Sequence, residues 1–296
     1  MKLGTYIDPI SGKETVGILE DGWVFETAYH KMLTAIESTQ GNLSTIKKGN
    51  RQWRQSEVLW KAALPHPKSF RDFFAFETHI KNARKKRGLE VPPEWYQFPV
   101  FYFSNHQAII GPYDEVKKPS KSSRFDYELE LALVIGKECR NVKALEAEQF
   151  IAGYTILNDW SLRDIQMEEV KVGLGPAKGK DFATTLGREL VTPDELQTKV
   201  LIDENGLQRF DLEMEVFVNG KKYGGGNFKS IYYTFGQMIE RASEDATLFP
   251  GDLIGSGTVG TGCLLELDNA QFPFLEKGDL VEMRIESIGE LRNRVV

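Results

Sequence analysis

The chain has 296 residues, 41% of them hydrophobic and 27% charged, with a net charge of −6, which suits a soluble globular protein able to bury a full core. Acidic and basic residues interleave along most of its length, which argues against a nucleic-acid partner. No apolar run approaches the length of a membrane-spanning helix, the start meets Lys2 and Pro9 too early for a signal peptide, and Cys139 and Cys263 lack metal or redox spacing; a reduced, cytoplasmic setting is therefore expected.

In chain order, strand-like runs at residues 3–7, 14–19 and 22–26, separated by turn residues, predict β-hairpins. Amphipathic patterns then predict helices at residues 30–38 and 44–63, with Ser44 as an N-cap for the second. The Pro65-His66-Pro67 step marks a boundary, giving a small N-terminal domain at residues 1–68 and a larger one at residues 69–296. Residues 70–79 are aromatic and read as extended, followed by a basic helical piece through Asn82, Arg84, Lys85 and Arg87 and a proline-bounded segment at residues 92–103.

From Gly111 onward the pattern is mostly β, with helices expected at residues 144–152, 159–169 and 230–242. Asn219-Gly220 after residues 212–218 signals a type I′ hairpin, and Gly224-Gly225-Gly226 reads as a further turn. Strands are expected at residues 253–254, 264–267 and 280–285. The absence of regular helix–strand alternation excludes a doubly wound fold and predicts a β-rich α+β architecture.

The stretch Asp126-Tyr-Glu-Leu-Glu-Leu-Ala-Leu-Val-Ile-Gly-Lys137 has apolar residues on both sides of its alternation and predicts an interior strand. Glu128 and Glu130, two apart, point to one face. Buried together they repel unless a positive group sits between them, and a divalent cation held by oxygen ligands meets that need. Asp159, at the end of an apolar run in Asn158-Asp-Trp-Ser161, adds a third carboxylate. The alternative is that Asp159 caps the following helix while Glu128 and Glu130 face solvent on an edge strand. Glu213 and Glu215 compete for the metal role, but their strand alternates cleanly and predicts solvent exposure.

His30, His66, His79 and His106 contain no pair at helical zinc spacing. Gly255-Ser-Gly-Thr-Val-Gly260 has the spacing of a dinucleotide fingerprint but precedes an expected strand rather than a helix, so it is read as a loop whose amides line a pocket. Lys178 and Lys180, in Gly175-Pro-Ala-Lys-Gly-Lys-Asp-Phe182, either meet an acidic ligand or form a solvated basic loop.

Six ordered motifs stand out: Asp72-Phe-Phe-Ala-Phe-Glu-Thr-His79, Asp126-Tyr-Glu-Leu-Glu130, Asn158-Asp-Trp-Ser-Leu-Arg-Asp-Ile-Gln166, Gly179-Lys-Asp-Phe-Ala-Thr184, Pro250-Gly-Asp-Leu-Ile-Gly-Ser-Gly-Thr258 and Gly289-Glu-Leu-Arg-Asn-Arg-Val295. Together they resemble the fumarylacetoacetate hydrolase family, in particular its fumarylacetoacetase-like branch, from about Phe70 to the C-terminus. The resemblance implies a mixed β-roll catalytic domain behind a small N-terminal domain, a homodimer, and a Mg²⁺ ion or in its place Ca²⁺ or Mn²⁺. It further implies Asp72, Glu128, Glu130 and Asp159 as metal ligands, with Lys180 and Thr184 as further groups around the metal. His79 corresponds to the general base, Glu266 to the acid that orients it, and Arg87, Tyr102, Gln166 and Thr258 to positions that contact substrate.

The activity implied is hydrolysis of a carbon–carbon bond in an acidic small molecule, an acylpyruvate or fumarylacetoacetate-like β-diketo acid. His79 would activate water, Lys180 would balance developing charge, and the product carbanion would leave as a metal-stabilised enolate. Phe74 and Val170 stand where fumarylacetoacetase itself has tyrosines that contact substrate, so this pocket is less polar. Two alternatives share these residues: a lyase of the same family (a 2-oxo sugar acid dehydratase or hydratase, or a decarboxylase), and a non-catalytic module stabilised by Ca²⁺.

Overall fold

The structure, a computed structural model, describes every residue of the chain except residue 87. Arg87, expected to contact substrate, therefore lies outside the described residues. Among those described, the chain builds a β-rich α+β fold around one mixed sheet of thirteen strands. Its middle runs Lys2–Ile7, Glu189–Val191, Ile151–Asp159, Leu129–Ile135, Leu253–Gly255, Phe70–Phe73, Phe101–Phe103. The N-terminal hairpins join this same sheet, since Lys2 pairs with Val191 and Gly4 with Glu189. A separate four-stranded antiparallel sheet is ordered Lys221–Asn227, Glu213–Val218, Leu280–Ile285, Gly289–Arg294.

Leu129–Ile135 is an interior strand with all seven residues buried, antiparallel to Ile151–Asp159 on one side and to Leu253–Gly255 on the other. The two-residue period of a strand sends its side chains to two different cores. Leu129, Leu131, Leu133 and Ile135 pack in a cluster with Met214, Val216, Met283 and Leu291 of the four-stranded sheet. Ala132 and Val134 pack in a second cluster with Leu3, Ile18, Leu157 and Leu190. Apolar residues on both faces of the alternation thus follow from both faces being covered. Glu130 shares the parity of Ala132 and Val134, so it is carried into the interior with them.

Several expectations from the sequence are met. The first three strands form, Asn219 and Gly220 both take positive φ (51° and 78°) between paired strands as a type I′ turn needs, and Glu213 is exposed. Others are corrected by tertiary pairing. Residues 44–63 are not a helix: Gln52–Arg54 and Leu59–Trp60 are strands on the sheet, and Trp60 buries itself edge-on to Tyr6 at 6.0 Å. Gly49 and Asn50 interrupt that segment, and burying the Trp60 ring outweighs a helical pattern. Gly224–Gly226 is no turn but part of the strand Lys221–Asn227; a side chain at Gly224 would meet the Thr261 carbonyl at 2.1 Å. Residues 264–267 form a 3₁₀ turn, Leu264–Glu266, rather than a strand.

Residues 144–152 likewise hold a 3₁₀ helix, Ala144–Phe150, and the late helix is Phe235–Ser243, opened by a Thr234–Gln237 capping box. Residues 70–79 are extended only over Phe70–Phe73, and the helix Glu77–Lys85 already contains His79. The helix expected from residue 159 begins instead at Arg163, and Asp159 closes the strand Ile151–Asp159. Asp159 is therefore not an N-cap, and Glu130 is not on an edge strand.

Truncation at the double-sided strand tests this account. Leu133→Ala, at a fully buried position, is expected to cost about 2–5 kcal/mol by denaturant unfolding. Leu59→Ala, 64% exposed, is expected to stay within about 0.5 kcal/mol.

Candidate active site

Four adjacent strands, Ile151–Asp159, Leu129–Ile135, Leu253–Gly255 and Phe70–Phe73, bring Asp159, Glu130 and Asp72 to one place. One oxygen from each of Asp72, Glu130 and Asp159 lies within 4.8 Å of the others, and all three residues are buried. Gly255, register partner of both Ala132 and Asp72, makes room for this: a Cβ there would sit 2.4 Å from Asp72 Oδ1 and 2.9 Å from Glu130 Oε2. Thr184 is the register partner of Asp159. Asp72 Oδ1, Glu130 Oε1, Asp159 Oδ1 and Thr184 Oγ1 are buried without a hydrogen-bond partner.

Burial first, and the charge of Asp159 second, push the Asp72 carboxyl well above its ordinary range. Glu130 is raised well above its range by burial and then by Asp72, and Asp159 is raised mainly by burial. Buried, partnerless oxygens that repel one another are the environment that a hard cation with oxygen ligands stabilises. The donor set therefore fits a divalent ion such as Mg²⁺ or Ca²⁺.

Glu128, just ahead of the strand, is differently placed. Its oxygens are taken by Lys180 Nζ at 2.5 Å and Arg163 Nη2 at 2.7 Å. Burial works to raise Glu128, but Lys180 and then Arg163 outweigh it and hold the carboxyl down at about 2. Lys180 Nζ also reaches Asp159 Oδ2 at 2.6 Å; burial pulls its ammonium down, yet Asp159 and Glu128 leave it above its ordinary range. The Tyr102 hydroxyl lies 2.5 Å from Asp159 Oδ2 and 3.1 Å from Asp72 Oδ2, so it braces the carboxylates directly. Burial and then Asp159 raise its phenol well above the usual value.

His79 Nδ1 lies 2.7 Å from Glu266 Oε1, with both side chains enclosed. Asn82 Nδ2 and the Thr261 amide donate to the other Glu266 oxygen at 2.8 and 3.0 Å. Burial acts to raise Glu266, but His79 and these donors bring it below its ordinary range. An ionised carboxylate only accepts, so Nδ1 carries a proton, and the neutral imidazole held this way has its lone pair on Nε2. Phe74 stands edge-on to the imidazole at 5.0 Å. His79 of this dyad and, of the carboxylates, Asp72 and Glu128 line one cleft of about 670 Å³, together with Phe74 and Lys180 among others.

Gln166 and Thr258 also line the cleft, as does Val170. The Gln166 side chain accepts from Arg163 Nη1 at 3.0 Å, and Thr258 Oγ1 donates to the Leu129 carbonyl at 3.2 Å. The glycine loop spends its Gly257 amide on Glu130 Oε2 at 3.0 Å rather than on an outside anion. Lys178 pairs with Asp181 at 2.9 Å on the surface, and Glu215 with Lys222 at 2.7 Å, both as surface pairs.

Sequence reasoning overlooked Asp126, Arg163, Asn82 and Cys263. Arg163 is fully enclosed between Glu128 and Asp126, whose Oδ2 accepts from Arg163 Nε at 2.7 Å. Asp126 also accepts the amides of Leu264 and Leu265 at 2.8 and 3.0 Å, which bends residues 264–266 into their turn and presents Glu266. The Cys263 thiol lies 3.5 Å from Glu266 Oε1. A signal existed for Asp126, which continues the alternation Asp126-x-Glu128-x-Glu130; none marked Asn82 or Cys263.

A family model described as fumarylacetoacetate (FAA) hydrolase C-terminal matches residues 68–296. A 2,4-didehydro-3-deoxy-L-rhamnonate hydrolase of Sphingomonas sp. is 36% identical over 210 residues, 70% of this chain and 67% of that protein. An oxaloacetate tautomerase of Homo sapiens, described as mitochondrial, is 35% identical over 215 residues, 72% of this chain and 62% of that protein. The structure of 5-carboxymethyl-2-hydroxymuconate delta-isomerase from Mycobacterium smegmatis superposes with a TM-score of 0.74 at 28% identity, covering 100% of this chain and 99% of that one.

Divalent-cation binding is checked by thermal melts with Mg²⁺ against chelator. At a hundredfold excess over Kd the ion is expected to add roughly 2.7 kcal/mol of apparent stability. Gly255→Ala, which crowds Asp72 and Glu130 apart, should fold and lose most of that shift; an undiminished shift would place the ion elsewhere.

Proposed function

The chain belongs to the fumarylacetoacetate hydrolase family, and on that premise we propose that it is a divalent-metal-dependent hydrolase of a carbon–carbon bond in a β-diketo acid of the acylpyruvate kind. The observation that carries this reading is that His79, paired with Glu266, lines the same cleft as Asp72 of the carboxylate cluster. A base beside a cation-binding floor suits attack of water on a substrate anchored by its oxygens.

In this proposal Asp72, Glu130 and Asp159 hold the ion, with Glu128 and Thr184 beside them. When bound, the ion would supply a Lewis acid for the diketo oxygens. His79 Nε2 takes a proton from water, and the oxygen attacks the carbonyl distal to the acid end. The bond between that carbonyl and the neighbouring methylene carbon breaks, its electron pair stays on the methylene carbon, and the proton returns there. The products are a carboxylic acid and a 2-oxo acid. Glu266 holds the imidazole tautomer and offsets the positive charge it gains, and the Lys180 ammonium offsets negative charge developing on the substrate oxygens. Phe74 and Val170 offer no hydroxyl, so they select by shape and apolar contact rather than hydrogen bonding.

Relatives described as a hydrolase, a tautomerase and an isomerase support an enzyme and make the reaction type the point to test. Mass-spectrometric product analysis over acylpyruvates and sugar-derived 2-oxo acids, with Mg²⁺ and with chelator, should reveal two carboxylic fragments from one substrate, only with the metal. An isomerised or dehydrated product of undivided carbon skeleton would replace this reading by tautomerase or dehydratase chemistry. His79→Ala should lower kcat by about 10²–10⁴-fold while retaining the Mg²⁺-dependent rise in melting temperature.

A further inference from the structure

The helix Glu77–Lys85 and the turn Leu264–Glu266 meet along one stripe of side chains. His79 and Asn82, three apart, share a helix face, and both reach Glu266: His79 Nδ1 lies 2.7 Å from Oε1, and Asn82 Nδ2 donates to Oε2 at 2.8 Å. Lys86, one position past the helix, donates from Nζ to the Leu267 carbonyl. Of the nine helix residues, His79 and Ile80 are buried. Polar contacts to the turn, rather than a wide apolar face, therefore hold this helix where it lies.

The protonation of Glu266 sets the imidazole tautomer, and burial favours the neutral acid. A protonated carboxyl carries an O–H that can donate to Nδ1, which would leave the proton of a neutral imidazole on Nε2, the nitrogen that the proposed reaction needs free. Against this, Oε2 receives two neutral donors, Asn82 Nδ2 and the Thr261 amide at 3.0 Å. Thr261 takes a positive φ of 65°, uncommon for a β-branched residue. In that conformation it turns its amide to Glu266 while its hydroxyl donates to the Gly225 carbonyl at 2.7 Å. Of the two donors only Asn82 is a side chain. Being uncharged, its amide steadies the carboxylate without competing as a cation with His79.

We propose that Asn82 is a positioning residue: its amide keeps Glu266 ionised and turned toward Nδ1, and so keeps the Nε2 lone pair of His79 free. Its effect passes through Glu266, because Asn82 is not among the residues that line the cleft. The base role of His79 rests on the hydrolase reading, whereas the tautomer does not. One helix face thus carries both the base and the group that holds the orienting acid.

The test reads the tautomer directly, in Mg²⁺-loaded protein carrying ¹⁵N-labelled histidine, with the His79 signals identified by their loss in His79→Ala. At a pH where the imidazole is neutral, long-range ¹H–¹⁵N correlation spectra of the wild type should give a protonated Nδ1 and an unprotonated Nε2. N82L, close to Asn in size but without a donor, should move both nitrogens toward the Nε2–H form. The wild-type pattern unchanged in N82L would overturn the proposal. N82A reads the same change should N82L lose the Mg²⁺-dependent rise in melting temperature. On an acylpyruvate that the wild type cleaves, N82L should lower kcat by roughly ten- to a hundredfold with KM within about twofold; no loss, or a loss falling on KM instead, would also overturn it. If the wild type cleaves no acylpyruvate, the hydrolase reading fails, and the spectra alone decide the role of Asn82.

Discussion

The constraint on which the rest of the structure depends is the burial of like charges. Asp72, Glu128, Glu130 and Asp159 are withdrawn from water beside one another, and uncompensated carboxylates in such a place cost several kcal/mol each, on the order of what a whole domain has to spare. The chain answers from several sides at once. Lys180 bridges Glu128 and Asp159, Arg163 takes the other Glu128 oxygen, Tyr102 braces Asp72 and Asp159, and the Gly257 amide binds Glu130. Asp72, Glu130 and Asp159 each keep one oxygen without a partner, and the three carboxylates approach within 4.8 Å of one another, so the residual charge is gathered where an ion can use it.

Holding that point requires rigid elements, and the sheet supplies them. Each of these three carboxylates sits on a different strand, and the strand between Glu130 and Asp72 contributes Gly255, which yields its volume to them. Sites mounted on neighbouring strands are held more firmly than sites on loops. The surrounding cores, packed on both faces of Leu129–Ile135, keep the register from slipping.

The dyad is coupled to this floor through one buried arginine. Arg163 touches Glu128 with one end and Asp126 with the other, and Asp126 in turn holds the Leu264 and Leu265 amides that shape the turn bearing Glu266. A chain of contacts thus runs from the carboxylate floor through Arg163 and Asp126 to the turn bearing Glu266, which pairs with His79. The His79–Glu266 dyad and the carboxylate floor therefore share a structural support.

Local sequence by itself determined the interior strand, the first hairpins, the Asn219-Gly220 turn and the carboxylate alternation, because these follow from short-range periodicity and backbone preference. The family motifs, being ordered and specific, also contain ten of the residues that line the cleft, His79, Asp72, Glu128 and Lys180 among them. Tertiary structure alone decided the rest. Residues 44–63 became strands because an open sheet edge and a buried Trp60 were available to them, and residues 264–266 became a turn because Asp126, more than a hundred positions earlier, accepts their amides. The division of labour among the carboxylates was equally invisible in one dimension. Glu128 and Glu130 differ by two positions and share an alternation, yet one is neutralised by Lys180 and Arg163 while the other keeps an unpartnered oxygen, since only folding brings those cations to one and not the other.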